Sequence, residues 1–340
     1  MTFNAGLPGC SPRVPRAAVT TFPELVEGPP EGRSGLCGPR VLQPTRIPQT
    51  HSGVKNPSGS TTSSAVDRAA RDAKLSDPSA TLGDVLAHVF GPWTQWPEQD
   101  LIAFSDEFDE KLALAAYCSG VFPMPLHETG FEGEMGWWSP MQRGLLPLDA
   151  LRVPRSLRKM ARRYTTTVDA DFDAVLTGCS DPDRPDGWID EAIRGVYTNL
   201  HAQGLVHSVE VWDELGRLVG GLYGVAIGGL FAGESMFHHP QWGRDASKVA
   251  LVRLVTELRA GMEPRVLDVQ WRTDHLASLG VTEVERVAYL GLVDQALDLP
   301  PVDWDGARAA SPMTGDELLA LHALQTEPLQ TKQTREDDDA

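Results

Sequence analysis

The chain is short of cysteine, of positive charge and of long apolar runs. Its four cysteines, Cys10, Cys37, Cys118 and Cys179, lie far apart in 340 residues and show no CxxC spacing. That pattern excludes a disulfide framework and reads as free thiols in a reducing cytoplasm. No apolar stretch approaches the ~18 residues that a membrane span needs. No apolar core follows the first basic residues, as it would in a signal peptide. Lys and Arg number 30 against 47 Asp and Glu, giving a net charge of −17. Averaged over the whole chain, this balance argues against nucleic acid as a partner, because phosphate binding wants clustered positive charge. Metal signatures are missing too: no HxxxH or HExxH occurs, and the adjacent His238 and His239 would point to opposite faces of a strand. Neither a GxSxG elbow nor a Walker loop is present.

Composition changes along the chain. Residues 1–80 hold 11 of the 26 prolines and no Trp or Tyr, so they cannot bury enough apolar surface to offset their ordering entropy. This stretch is expected to be disordered. A small domain is expected over 81–142, with a helix at 82–90, a second at 109–119 stopped by Gly120, and a turn at 120–125. Residues 143–300 read as the main domain. It alternates helices at 155–163, 189–203 and 246–260 with a sheet at 207–237, a strand at 265–271 and a helical segment at 274–297. For the helix at 246–260, Asp245 is the expected cap and Ala250, Leu251, Leu254, Val255 and Leu258 form one apolar stripe. Residues 301–340, ending in Glu336-Asp337-Asp338-Asp339, are expected to be a largely disordered tail. Mixed helices around a largely antiparallel sheet make an α+β or α/β protein.

The most informative run is Gly204–Phe237. HSVEVW alternates apolar and polar residues at period two, as a half-buried strand does. The turn residues Asp213–Gly216 lead into LVGGLYGVAIGGLF, strand-like but interrupted by Gly220-Gly221 and Gly228-Gly229. Glycine inside a strand marks a bulge or the close approach of a ligand or another backbone. A sheet opened for an extended ligand and a twisted meander without any site fit these residues equally well.

HSVEVW, LVGGLYGVAIG, GESMF, Ala246-Ser247-Lys248, Asp268-Val269-Gln270 and His275–Gly280 follow in order, with Trp137-Trp138-Ser139-Pro140 and Gly187-Trp188-Ile189 upstream. Together, over roughly 100–295, they closely resemble the leucyl/phenylalanyl-tRNA–protein transferase family. The resemblance implies a GNAT-like acyltransferase domain preceded by a small α/β domain. It implies transfer of Leu, Phe or Met from aminoacyl-tRNA to the α-amine of proteins beginning with Arg or Lys, an N-degron mark for degradation. A cytoplasmic monomer is expected. No cofactor or metal is implied, since the aminoacyl ester is already activated.

Residue by residue, the resemblance assigns Asp268 and Gln270 to the catalytic centre and Glu234 to the cationic N-terminus of the acceptor. In a strand, positions two apart share a face about 7 Å apart, and a satisfied buried Asp–Gln couple would look the same. Leu222, Phe231, Met236, Leu251, Leu254 and Leu267 match the apolar aminoacyl pocket, though as a set they also read as ordinary core. Trp188 matches an aromatic near the acceptor adenosine. Met124 stands where the family has Trp in its FPW, and the segment Leu101–Phe108 lacks the family's paired glycines. Arg152, Arg155, Arg158, Lys159, Arg162 and Arg163 put six cations in twelve residues with no acid among them. They form either a solvated basic face or, as the resemblance implies, a strip that follows tRNA phosphates. Two alternatives stay open. A coenzyme-A-dependent N-acetyltransferase would need a Gly-rich pyrophosphate loop opening a helix; its nearest candidate, Arg217–Leu222, fails at the last position and is expected between strands. A tRNA- or peptide-binding module without catalysis is the other.

Overall fold

The computed structural model describes residues 45–46, 89–126, 133–181, 189–261 and 263–326. The disorder expected for 1–80 lies outside these residues, apart from the short strand β1 (Thr45–Arg46), and of the helix expected at 82–90 only a turn at Val89 and Phe90 is described.

A four-stranded sheet has the order β1, β2 (Leu101–Ser105), β4 (Met135–Trp138), β3 (Phe122–Pro125). β3 is a correction, since its residues were expected to form a turn. Pro123 and Pro125 lack an N–H to donate, which a strand tolerates at a sheet edge, and β3 is the edge. Helix α1 (Glu110–Cys118) starts where the Asp109 side chain accepts from the Leu112 N–H, and Gly120 follows at φ 73°.

An eight-stranded sheet carries the rest, in the order β11 (Thr282–Glu285), β5 (Gln142–Leu145), β10 (Val266–Asp268), β9 (Leu230–His238), β8 (Leu218–Ile227), β7 (Val206–Trp212), β6 (Thr165–Val168), β12 (Met313–Thr314). In this sheet only β9 and β10 pair in parallel, and such a pair needs a crossover. Helix α5 (Ala246–Arg259) supplies it and buries the expected stripe of Ala250, Leu251, Leu254, Val255 and Leu258. Each large apolar side chain so buried stabilises the fold by about 1.5–3 kcal/mol. The cap differs from expectation: Asp245 adopts φ 59° and accepts from Lys248 Nζ at 2.7 Å instead of capping the helix. Helices α2 (Arg155–Ala161), α3 (Phe172–Cys179) and α4 (Glu191–Ala202) complete this half. The segment expected as one helix over 274–297 is two, α6 (Asp274–Leu279) and α7 (Arg286–Leu297), divided by β11.

Residues 301–326 correct the expectation of a tail. Helices α8 (Trp304–Ala309) and α9 (Gly315–Thr326) bury Trp304, Ala307 and Leu318 in the main core. Trp304 stacks on the His207 ring at 4.2 Å, and the fully buried Arg253 donates to the Ala307 carbonyl at 3.1 Å. A second core runs across residue 142, joining Ile102, Tyr117 and Trp137 to Ile193, Tyr197 and Tyr223. Gly228-Gly229 form the turn between β8 and β9, and Gly220-Gly221 do not open the sheet. A Cβ on Gly220 would lie 2.6 Å from that of Ala246, and one on Gly221 would lie 2.8 Å from the Val209 carbonyl oxygen. These glycines therefore let helix α5 and the neighbouring strand approach closely.

Candidate active site

The β8–β9 pairing has one irregularity, and it lies at Gly224 and Gly233 rather than at the paired glycines. Tyr223 pairs with Ser235 and Gly224 with Gly233, which leaves Glu234 as the extra residue of a bulge on β9. A bulge re-aims the side chain it carries. Gly224 is required opposite it, since a Cβ there would press on the Ala232 carbonyl and the Phe231 ring.

Glu234 is thereby buried in the middle of the sheet. Its Oε2 accepts from the Tyr197 hydroxyl at 2.8 Å, and Tyr197 lies 2.8 Å from the Tyr117 hydroxyl. Its Oε1 is buried without a hydrogen-bond partner among the described residues. Burial pushes the Glu234 carboxyl up to about 7; the tyrosine hydroxyls and Arg143 pull against that rise, and Asp268 adds to it. Burial also raises Tyr117 and Tyr197 well above the usual phenol range, with the Glu234 charge adding to it, so both stay protonated donors.

Asp268, the last residue of β10, is fully buried and accepts four hydrogen bonds. Arg143 Nε donates to Oδ1 at 2.8 Å and Nη2 to Oδ2 at 2.6 Å; Tyr289 Oη donates to Oδ2 at 2.7 Å; the Gln270 N–H donates to Oδ1 at 2.9 Å. Burial alone would weaken the hold of Arg143 on its proton, but the adjacent Asp268 carboxylate reverses this and strengthens it. The pair is a bidentate fork in a low-dielectric interior.

Gln270 does not share a strand face with Asp268, as spacing alone suggests. The strand ends at Asp268, and Gln270 takes the left-handed conformation at φ 58°. Strain of this kind clusters at functional sites. Its Oε1 is buried and has no hydrogen-bond partner among the described residues. Trp271 follows, its ring 4.8 Å from Phe122 and 5.9 Å from Trp138.

The other residues singled out in the sequence fall as follows. Leu222, Phe231, Met236, Leu251, Leu254 and Leu267 come together in one core cluster, each no more than 2% exposed. Met124 is half-buried on β3, and its carbonyl accepts from Trp138 Nε1 at 3.2 Å. Trp188 lies outside the described residues. Arg152, Arg155, Arg158, Lys159, Arg162 and Arg163 are all exposed along and beside α2. Arg162 pairs with Asp316 at 2.9 Å. Sequence reasoning missed Arg143, Tyr117, Tyr197 and Tyr289. The signal available for Arg143 was indirect: an acid assigned to a buried centre requires a counter-charge.

A family model described as leucyl/phenylalanyl-tRNA protein transferase matches residues 145–294, and that of the N-terminal domain matches 106–141. The protein is thus a transferase enzyme with a mixed α/β fold. A leucyl/phenylalanyl-tRNA–protein transferase of Afipia carboxidovorans is 44% identical over 221 residues, covering 64% of this chain and 94% of the relative. The same-named protein of Rhizorhabdus wittichii is 49% identical over 193 residues, covering 56% and 75%. That of Salinibacter ruber is 46% identical over 201 residues, covering 58% and 84%. The chain belongs to the leucyl/phenylalanyl-tRNA–protein transferase family.

Proposed function

We propose that this chain moves Leu, Phe or Met from its tRNA to the α-amino group of proteins that begin with Arg or Lys, marking them as N-degrons. The observation that carries the reading is that two side-chain oxygens, Glu234 Oε1 and Gln270 Oε1, are each buried without a partner among the described residues, and that the Gln270 N–H is held by the locked Asp268 carboxylate. In the transfer, the neutral amine nitrogen attacks the carbonyl carbon of the aminoacyl ester. The ester C–O bond to the terminal ribose breaks, the ribose oxygen leaves with the proton shed by the amine, and a peptide bond forms. Atoms balance with no further reactant.

Asp268 has spent its acceptor capacity on Arg143, Tyr289 and the Gln270 N–H, which favours positioning over proton abstraction. Gln270 Oε1 is the acceptor that can orient the attacking amine and stabilise its developing positive charge. Glu234 faces the cationic end of the acceptor, and ionises near neutrality. The apolar set from Leu222 to Leu267 would line the Leu or Phe side chain, Met124 and Trp188 would meet the acceptor end, and the cations of α2 would follow the tRNA phosphates. The reaction belongs in the cytoplasm, where charged tRNA is consumed.

The finer fold reading has the same support: antiparallel β7–β9, then a helical crossover to a parallel β10, suits a GNAT-type acyltransferase. The coenzyme A alternative loses ground, because Leu218–Leu222 lies within β8 and Gly220 is covered by Ala246. Incubation with Leu-, Phe- and Met-tRNA and a model protein bearing N-terminal Arg, followed by mass measurement, tests the reading. One added aminoacyl residue is expected. An unchanged mass with all three overturns it.

A further inference from the structure

We propose that Arg143 is a positioning residue for the transfer step, acting through Asp268 on Gln270; the role rests on the transferase reading above. Arg143 sits on β5, which pairs with β10 on one side and β11 on the other. Its Nε and Nη2 take one oxygen each of Asp268, and the guanidinium lies 4.6 Å from the centre of the Phe122 ring and 4.4 Å from that of Tyr289. Fork and ring contacts together allow the Asp268 carboxylate one orientation. In that orientation Oδ1 receives the Gln270 N–H, and Oδ2 receives the Tyr289 hydroxyl.

The next residue grips the same segment through its backbone. Gly144 N–H donates to the Gln270 carbonyl at 2.8 Å, and the Gly144 carbonyl accepts from the Val269 N–H at 3.0 Å. A Cβ on Gly144 would lie 2.6 Å from the Trp271 carbonyl carbon, so only glycine lets the strand come this close. Arg143 by its side chain and Gly144 by its backbone thus hold Asp268–Trp271 from two directions. A non-glycine residue keeps a left-handed conformation only where its surroundings over-determine it. Gln270 is such a residue, and its amide is aimed by that conformation.

Lysine cannot reproduce the arrangement. Its ammonium is a point charge with no planar fork, so it can neutralise Asp268 but cannot fix both oxygens. Arg143→Lys therefore keeps the charge balance of the centre while releasing the orientation.

The test compares the full-length parent, Arg143→Lys, Gln270→Ala and the double variant, in transfer of Leu from charged tRNA to an Arg-led peptide at saturation. Turnover should fall on the order of 10²-fold for Arg143→Lys, as expected of a misplaced reacting group, with tRNA affinity within about threefold of the parent. In the Gln270→Ala background, Arg143→Lys should cost nothing more, because residues acting as a unit are non-additive. A merely structural arginine would lower the melting temperature without this dependence on Gln270. Should Arg143→Lys fail to fold, Arg143→Met/Asp268→Asn, which removes both charges, takes its place in the same cycle. Parental turnover in the Lys variant, or an additional loss of about tenfold or more in the Gln270→Ala background, overturns the role. A parent inactive with every charged tRNA overturns the transferase reading and this role with it. An active parent with an unaffected Lys variant overturns the role alone.

Discussion

Tyr197 Oη donates to Glu234 Oε2 at 2.8 Å inside the sheet, where neither side chain meets solvent. The hydroxyls of Tyr197 and Tyr117 and the charge of Arg143 offset only part of the desolvation of the carboxylate, which leaves the Glu234 carboxyl at about 7 against an ordinary 4.5.

The sign of the pH effect follows. Between about 4.5 and about 7 the folded protein holds a proton on Glu234 that the unfolded chain has lost. Stability from this group is full below the unfolded value and is lost as pH rises through the folded one, by about 1.4 kcal/mol for each tenfold difference in proton affinity between the two states. Melting temperature measured across this window should fall for the parent and fall less for Glu234→Gln, so that the Gln variant is the more stable above neutrality. Its use of Arg-led acceptors should nonetheless collapse. Parallel melting curves for the two proteins would show that Glu234 titrates as an ordinary carboxyl.

Gln270→Gly and Gln270→Ala separate backbone from side chain. Glycine accepts the left-handed conformation at φ 58° and alanine does not, so the Gly variant should be the more stable by about 1 kcal/mol. Both should lose turnover by on the order of 10²-fold, since both lack the amide. A Gly variant with parental turnover would remove the side chain from the mechanism.

Gly224→Ala tests the bulge. The new methyl meets the Ala232 carbonyl and the Phe231 ring, an overpacking that typically costs about 1–3 kcal/mol. Relieving it shifts β9 at Glu234, so transfer per folded molecule should also drop. Full activity at a lowered melting temperature would show that the aim of Glu234 does not depend on the bulge.

On the basic helix, Arg162 is tied to Asp316, while Arg155 and Lys159 have no such acid among the described residues. Asp316→Asn should tighten tRNA binding and steepen the dependence of log affinity on log salt by up to about one unit. Arg155→Glu with Lys159→Glu should weaken and flatten it for every aminoacyl group alike. An unchanged slope in both would make this a solvated face.

Much of this architecture was legible. The stripe of α5 and the strands β7–β9 follow from local pattern, because period and turn chemistry are local; the bulge at Glu234 lies away from the glycine pairs that pointed to one. The centre was legible only in part. Arg143 lies in the four-residue strand QRGL, where nothing nearby marks it as buried; its partner is 125 residues away. Tyr117, Tyr197 and Tyr289 reach the site from three separate helices. Gln270 follows an apolar run that reads as continuing strand, and a left-handed non-glycine residue leaves no local trace. The acidic ending concealed Trp304 and Leu318, whose burial depends on a core built much earlier in the chain.

That last arrangement bears on how the molecule is made. Arg253 lies in the middle of α5 with no solvent contact, and its Nη2 finds its acceptor at the Ala307 carbonyl. The ribosome makes α5 before α8 exists. During that interval its Nε can pair with Glu257 of the same helix and its Nη1 with Thr166, but its Nη2 has no acceptor from α8, and a buried donor left without a partner costs free energy. The main sheet should therefore close late in synthesis, once Trp304 and α9 can dock. Ribosome-bound chains halted at residue 300 should stay protease-sensitive around α5, and those extended well past residue 326 should not.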